Sequence, residues 1–225
     1  MARIKQNPNG RGSLNDIQIL INKNQDILNN KIKSIFPELS AENIIWKSPI
    51  AMDEFSEYRD NDFLDLLGLD PGKVNLASFW PRRGPQWDAL ARTTNGHIIL
   101  VEAKANMPEI ISPATGASAK SKLLIDKSLN ETKEFLGISN DVNWSGKFYQ
   151  YTNRLAHLYL FRCKRGIPAY LLNIYFIGDK TVNGPSTISE WVAAIKVAHS
   201  YLGIFQHELN KYIAEIFIDV EEMSK

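Results

Sequence analysis

The stretch Pro85-Gln86-Trp87-Asp88-Ala89-Leu90-Ala91-Arg92-Thr93-Thr94-Asn95-Gly96-His97-Ile98-Ile99-Leu100-Val101-Glu102-Ala103-Lys104 holds two apolar runs separated by Asn95-Gly96, the second ending in charge. That second run, His97 to Ala105, is compact, follows a turn signal and is closed by Pro108, which favours a buried strand over a helix. Side chains alternate along a strand, so Glu102 and Lys104 share a face with Ile98 and Leu100. One end of that face is apolar core and the other carries an ion pair. Gln86 to Arg92 also fits a short strand, and Asn-Gly is a strong hairpin signal because its positive-φ preference suits strand twist. An antiparallel hairpin therefore brings Asp88 opposite the Glu102 end, where two carboxylates and an ammonium converge.

These residue types point to a hard cation beside a phosphate. Mg2+ prefers oxygen ligands and keeps several waters, so a dedicated site supplies one or two carboxylates and leaves the rest to water and substrate phosphate. Asp88 and Glu102 meet that need. A bound metal acidifies a water and neutralises phosphate charge, and a nearby lysine, here Lys104, orients the nucleophile or stabilises developing negative charge. The plainer reading is a surface ion pair at a strand end, worth little to stability. Glu-x-Lys is a cheap triplet that recurs at Glu131-Thr132-Lys133, but that copy lies in a helix-like stretch with no apolar strand before it.

The arrangement resembles the PD-(D/E)xK nuclease superfamily, with Asp88 as the acidic residue of its second core strand and Glu102-Ala103-Lys104 as the (D/E)xK of the third. The literal Pro-Asp pair is absent, since Pro85 lies three positions before Asp88. The resemblance implies an α/β fold with a mixed central β-sheet flanked by helices. Its restriction-endonuclease-like core would run helix, three strands, helix, strand over about Asp53 to Asp179, with additions at both ends. It also implies metal-dependent hydrolysis of phosphodiester bonds in DNA, with Asp88, Glu102 and the Ala103 carbonyl holding Mg2+, for which Mn2+ can substitute. Several members carry a further acidic residue on the first core helix. The candidates are Glu54 and Glu57, and Glu57 is favoured because Leu64, two turns on, puts it at the edge of the buried face. In the RecB-like branch a glutamine, followed one turn later by a tyrosine, sits on the helix after the Glu-x-Lys strand. Gln150 matches that glutamine, Arg154 stands where the tyrosine is expected, and both are carried over as backbone or phosphate contacts.

With 225 residues and 44% hydrophobic content, the chain can bury a sizeable core as one domain, 13–225, behind a polar arm, 1–12, expected to be flexible. A net charge of +1 means that positive charge for a nucleic acid has to be placed locally. Cys163 is the only cysteine, which excludes an internal disulfide and a thiolate zinc cluster, and it is expected to pack within a helix. Met1 to Pro8 lacks the apolar core of a secretory signal and no run reaches membrane-spanning length, so a soluble cytoplasmic protein is expected.

Ser13 is expected to cap a helix carrying Leu14, Ile17, Leu20, Ile21, Ile27, Leu28 and Ile32. Leu39 to Pro49 is ambiguous. Asp53 starts an expected helix through Phe55, Tyr58, Asp62, Phe63 and Leu66, stopped by Gly68, and Lys73 to Trp80 is expected as the first core strand. Pro81-Arg82-Arg83-Gly84-Pro85 then holds two arginines in a stiff turn, suited to gripping phosphate through planar forks, although a solvent-exposed turn or partners for carboxylates explain them equally. Trp80 and Trp87 offer faces for stacking on bases, but burial within strands is the preferred reading. Further on, Met107 to Thr115 is expected to skirt the cleft. Ser118 to Leu136, Tyr149 to Lys164 and Thr187 to Leu202 read as helices, and Ala169 to Gly178 and Tyr212 to Val220 as strands. His157 has no nucleophile motif beside it and reads as structural, and the four histidines show no metal-binding pair at helical spacing.

The sequence thus leads to a Mg2+-dependent DNA nuclease centred on Asp88, Glu102, Lys104 and Glu57, with Arg82, Arg83, Gln150 and Arg154 toward the nucleic acid. A catalytically silent nucleic-acid or protein-binding module on the same fold is the alternative, and an enzyme on another phosphate-bearing substrate a second. DNA against RNA, endonuclease against exonuclease and homodimer against monomer stay open.

Overall fold

In the computed structural model, which describes residues 2–139 and 141–224, the arm expected to be flexible contributes β1 (Arg3–Ile4). Apolar residues at helical spacing then fold as two helices rather than one, α1 (Ser13–Lys23) and α2 (Gln25–Ile35), broken at Asn24. Gly12, with φ 67°, takes the cap position and Ser13 is the first helical residue, so the expected Ser13 cap does not form. The ambiguous stretch that follows becomes β2 (Ile44–Ser48).

The expected helix from Asp53 forms only in its second half, before Gly68, and the expected strand from Lys73 to Trp80 is replaced. Glu54 and Phe55 take φ of 54° and 50°, a left-handed turn that a helix cannot pass through. The chain instead makes β3 (Glu57–Tyr58), antiparallel to β1, and turns helical only at α3 (Asp60–Leu66). Asp70 then accepts the Gly72 N–H and Pro71 fills the first helical position, so the chain coils into α4 (Pro71–Val74) and a 3-10 turn at Leu76–Ser78.

The expected hairpin is present as β4 (Ala89–Thr93) and β5 (Ile98–Lys104), with Gly96 at φ 89° in the connecting turn. Next come α5 (Met107–Ile110), α6 (Ala119–Phe135) and α7 (Tyr149–Tyr159), the last running into a π-helical turn at Leu160–Lys164. β6 (Ala169–Ile177), α8 (Ile188–Leu202) behind a Thr187–Glu190 capping box, and β7 (Ile213–Asp219) complete the fold.

Among the described residues, five strands form one mixed sheet in the order β2-β4-β5-β6-β7. It is antiparallel from β2 to β5 and parallel from β5 to β7. Ile98, Leu100 and Leu171 bury against residues of α3, α6, α7 and α8, whereas Ile99, Val101, Leu172 and Ile174 bury against α1 and α2. The result is the mixed α/β architecture expected, a central sheet flanked by helices. Over about Asp53 to Asp179 the strands and α-helices run β3, α3, α4, β4, β5, α5, α6, α7 and β6, and β2 of the central sheet lies before that span. The charged end of β5 falls where the sheet passes from core to cleft.

Candidate active site

The β4–β5 ladder ends with the Asp88 N–H donating to the Val101 carbonyl at 3.2 Å. One step further the Asp88 side chain takes over, its Oδ2 accepting the Ala103 N–H at 2.7 Å and its Oδ1 making no hydrogen bond among the described residues. The N–H and C=O of one strand residue point to the same side, so the Ala103 carbonyl is directed toward Asp88 as well. Glu102 and Lys104 lie on the face of β5 that α7 covers. The Lys104 ammonium donates to Glu102 Oε1, and to Gln150 Oε1 at 2.9 Å. Arg154, one turn after Gln150, donates Nε to Glu102 Oε2 and Nη2 to the Gln86 carbonyl, both at 2.7 Å. Its Nη1 reaches Asn153 Oδ1 at 2.7 Å and the guanidinium lies 4.9 Å from the centre of the Trp87 ring. With 4% exposure, Arg154 is an interior clamp on Glu102.

Glu57 arrives by a route the sequence did not suggest. Because Ile4 pairs with Glu57 across β1 and β3, the amino-terminal segment passes beside the site, and Gln6 Nε2 donates to Glu57 Oε2 at 2.8 Å. Gln86 Nε2 donates to the same oxygen. Glu54 is exposed, paired with Lys5 at 2.6 Å and Arg3 at 3.5 Å, and of the two glutamates it is Glu57 that lines the cleft.

The carboxyl groups differ in what surrounds them. Burial raises Asp88 well above the usual aspartate range, and the charges of Glu102 and Glu57 push the same way. Glu57 is raised by burial and by Glu102, against the hydrogen bonds of Gln86 and Gln6. Burial also pushes Glu102 up, but Arg154 and Lys104 outweigh it and hold its carboxyl below the ordinary value. Glu102 is therefore the carboxylate held charged, while Asp88 and Glu57 ionise against the surrounding field.

These groups open onto a cleft of about 660 Å³. Arg83, Gly84 and Gln86, most of the 108–116 segment, and Gln150, Asn153 and Arg154 all reach the lining. The turn carrying Arg83 is fixed by Asp60, whose carboxylate accepts the Arg83 and Gly84 N–H groups at 3.1 and 3.0 Å. Arg82 turns into an adjoining groove with Arg59 and Asp62, a groove that Arg83 also lines. Trp80 and Trp87 are 2% and 0% exposed and offer no face to a base, though both lie outside the named strands, Trp87 in an isolated bridge to Tyr58. Sequence reasoning missed Gln6, Gln86 and Asn153, whose roles depend on contacts from distant segments. His157 donates Nδ1–H to the Asn153 carbonyl at 2.7 Å, and burial lowers its pKa to about 3, which fits a structural imidazole. Cys163, expected to pack, is exposed on the π turn that follows α7.

Among the described residues, no group of three or more His, Cys, Asp and Glu side chains has the spacing of a metal cage, and no helix is long and apolar enough to cross a membrane. No family profile, curated protein or solved structure matches the chain.

Proposed function

We propose that the chain is a metal-dependent nuclease that hydrolyses phosphodiester bonds in DNA, built on a restriction-endonuclease-like core. The observation that carries this reading is the pair Asp88 and Glu57, held near Glu102 at one cleft although burial and mutual repulsion oppose their ionisation. Such an arrangement costs stability unless a cation is meant to join it.

The donors fit Mg2+, or Mn2+ in its place. Asp88 Oδ1, a Glu102 oxygen and the Ala103 carbonyl are hard ligands, and one or two carboxylates suffice for an ion that keeps several waters. When bound, the cation would neutralise phosphate charge and acidify a water. The chain's own residues do the rest. Ala103 N–H orients Asp88, and Arg154 keeps Glu102 ionised and aligned. Lys104, steered by Gln150, presents its ammonium where a nucleophile or developing negative charge would lie. Glu57, hydrogen-bonded to Gln86, supports the site from the cleft lining, and Arg83 would grip a substrate phosphate.

One observation favours the alternative of a binding module without turnover: both oxygens of Glu102 are already ion-paired, to Lys104 and Arg154. Calorimetric titration with Mg2+ separates the two. The nuclease reading predicts binding that Asp88→Ala abolishes, together with cleavage that the variant loses while keeping its fold. A chain with no metal affinity, with or without DNA, supports the binding module.

A further inference from the structure

β6 reads Ala-Tyr-Leu-Leu-Asn-Ile-Tyr-Phe-Ile, and every residue in it is buried. A central parallel strand of this kind is normally apolar throughout, and Asn173 breaks the pattern. Its place is set by register. Glu102 pairs with Asn173 across β5 and β6, and Asn173 with Glu215 across β6 and β7, so the three side chains form a row on one face of the sheet.

Beside Lys104 that face borders a small, partly open chamber of about 30 Å³. Glu102, Lys104 and Gln150 line both the chamber and the cleft, and Asn173, His199 and Tyr151 line the chamber with apolar residues such as Phe148 and Ile195. Asn173 is 4% exposed. Its Nδ2 and His199 Nε2 are buried without a hydrogen-bond partner among the described residues, and Glu215 Oε1 lies 3.9 Å from His199 Nε2. An unpartnered buried donor costs about 1–3 kcal/mol. A cavity needs about 10–15 Å³ of such volume to hold a water, which also needs two to four polar partners, and the chamber offers both.

Resting on the nuclease reading, we infer that Asn173 is a positioning residue for Lys104 and Glu102, acting through one ordered water held between Asn173, His199 and the back of the ion pair. The pair is then braced on two sides, by Gln150 and Arg154 from α7 and by the Asn173 water from the sheet. Outer-shell partners of this kind are worth about 10- to 100-fold in activity.

The test combines an atomic-resolution crystal structure with cleavage kinetics on Asn173→Leu and Asn173→Ser, both checked for folding by thermal melting. The wild type is expected to show water density between Asn173 Nδ2 and His199 Nε2. Asn173→Leu, close in shape but without a donor, should lose roughly 10- to 100-fold in kcat with KM for DNA unchanged. Asn173→Ser, which supplies a hydroxyl donor in place of the amide and makes room for a second water, should recover most of that loss. A dry chamber in a wild type that cuts DNA overturns this inference alone, as does wild-type kcat in Asn173→Leu or a loss confined to KM. A wild type that holds the water but cuts nothing overturns the nuclease reading, and the role of Asn173 with it.

Discussion

Replacing Arg154 with methionine keeps the length and apolar stem of the side chain but removes the clamp on Glu102. Three of its hydrogen bonds end on Glu102, the Gln86 carbonyl and Asn153, all within the protein. Removing one partner of a buried ion pair costs about 3–5 kcal/mol, because the other charge stays buried. Proton uptake limits that cost. In the wild type the Glu102 carboxyl lies below its unfolded value, so the pair stabilises the fold above that value and the contribution is lost as pH falls. In Arg154→Met the burial of Glu102 is opposed by Lys104 alone, its pKa rises above the unfolded value, and stability is lost as pH rises. Urea unfolding at about pH 5 and about pH 8 should therefore show a stability gap that is larger at the higher pH, where it approaches the 3–5 kcal/mol range. Arg154→Met/Glu102→Gln should regain most of the loss, since the stranded charge is gone. A gap below about 1 kcal/mol at the higher pH, the range of surface ion pairs, or one independent of pH, would refute the clamp.

Asp88→Asn should abolish cleavage while raising the denaturant midpoint by about 0.5–2 kcal/mol in stability, because it removes a charge that burial, Glu102 and Glu57 disfavour; a destabilised variant would contradict this. Asp16, 6% exposed, has its carboxyl raised to about 8 by burial and then by Asp179. Its raised pKa gives stability that is full in acid and lost as pH climbs toward about 8, so the urea midpoint should fall over that window and Asp16→Asn should flatten part of the fall. A midpoint that rises over the window would contradict that sign. The His157 ring, lowered to about 3 by burial, should show no NMR titration at neutral or mildly acidic pH, and a titration near the ordinary histidine value would contradict the packing described. Gly184→Ala would drive a Cβ into the Ala105 carbonyl beside Lys104, at a cost of about 1–3 kcal/mol and with lower activity, read by melting and cleavage together.

The parts of the fold legible in the sequence are those whose signals are local. Asn95-Gly96 between two apolar runs gives the β4–β5 hairpin, and Ser118 and Thr187, each followed by helical periodicity, mark the starts of α6 and α8. Asp53 to Tyr58 departs from the expected helix because its structure depends on distant partners. Glu57 and Tyr58 become strand only because Arg3 and Ile4 pair with them, and nothing near Glu57 announces it. The Asp70-Pro71 cap was a local signal for α4 that the apolar spacing of Val74, Leu76 and Trp80 obscured. At the site, Asp88, Glu102 and Lys104 converge through one hairpin and so were legible together. The interior role of Arg154 was not, since reaching Glu102 and the Gln86 carbonyl depends on how α7 crosses the sheet.

Metal-dependent cleavage is tested most directly by incubating supercoiled plasmid and single-stranded circular DNA with the wild type and with Lys104→Ala, in Mg2+, in Mn2+ and in EDTA. The account predicts cutting by the wild type in either metal, none in EDTA, and loss of cutting in the variant. Cutting that persists in EDTA or in Lys104→Ala, or no cutting by the wild type under any of these conditions, would contradict it.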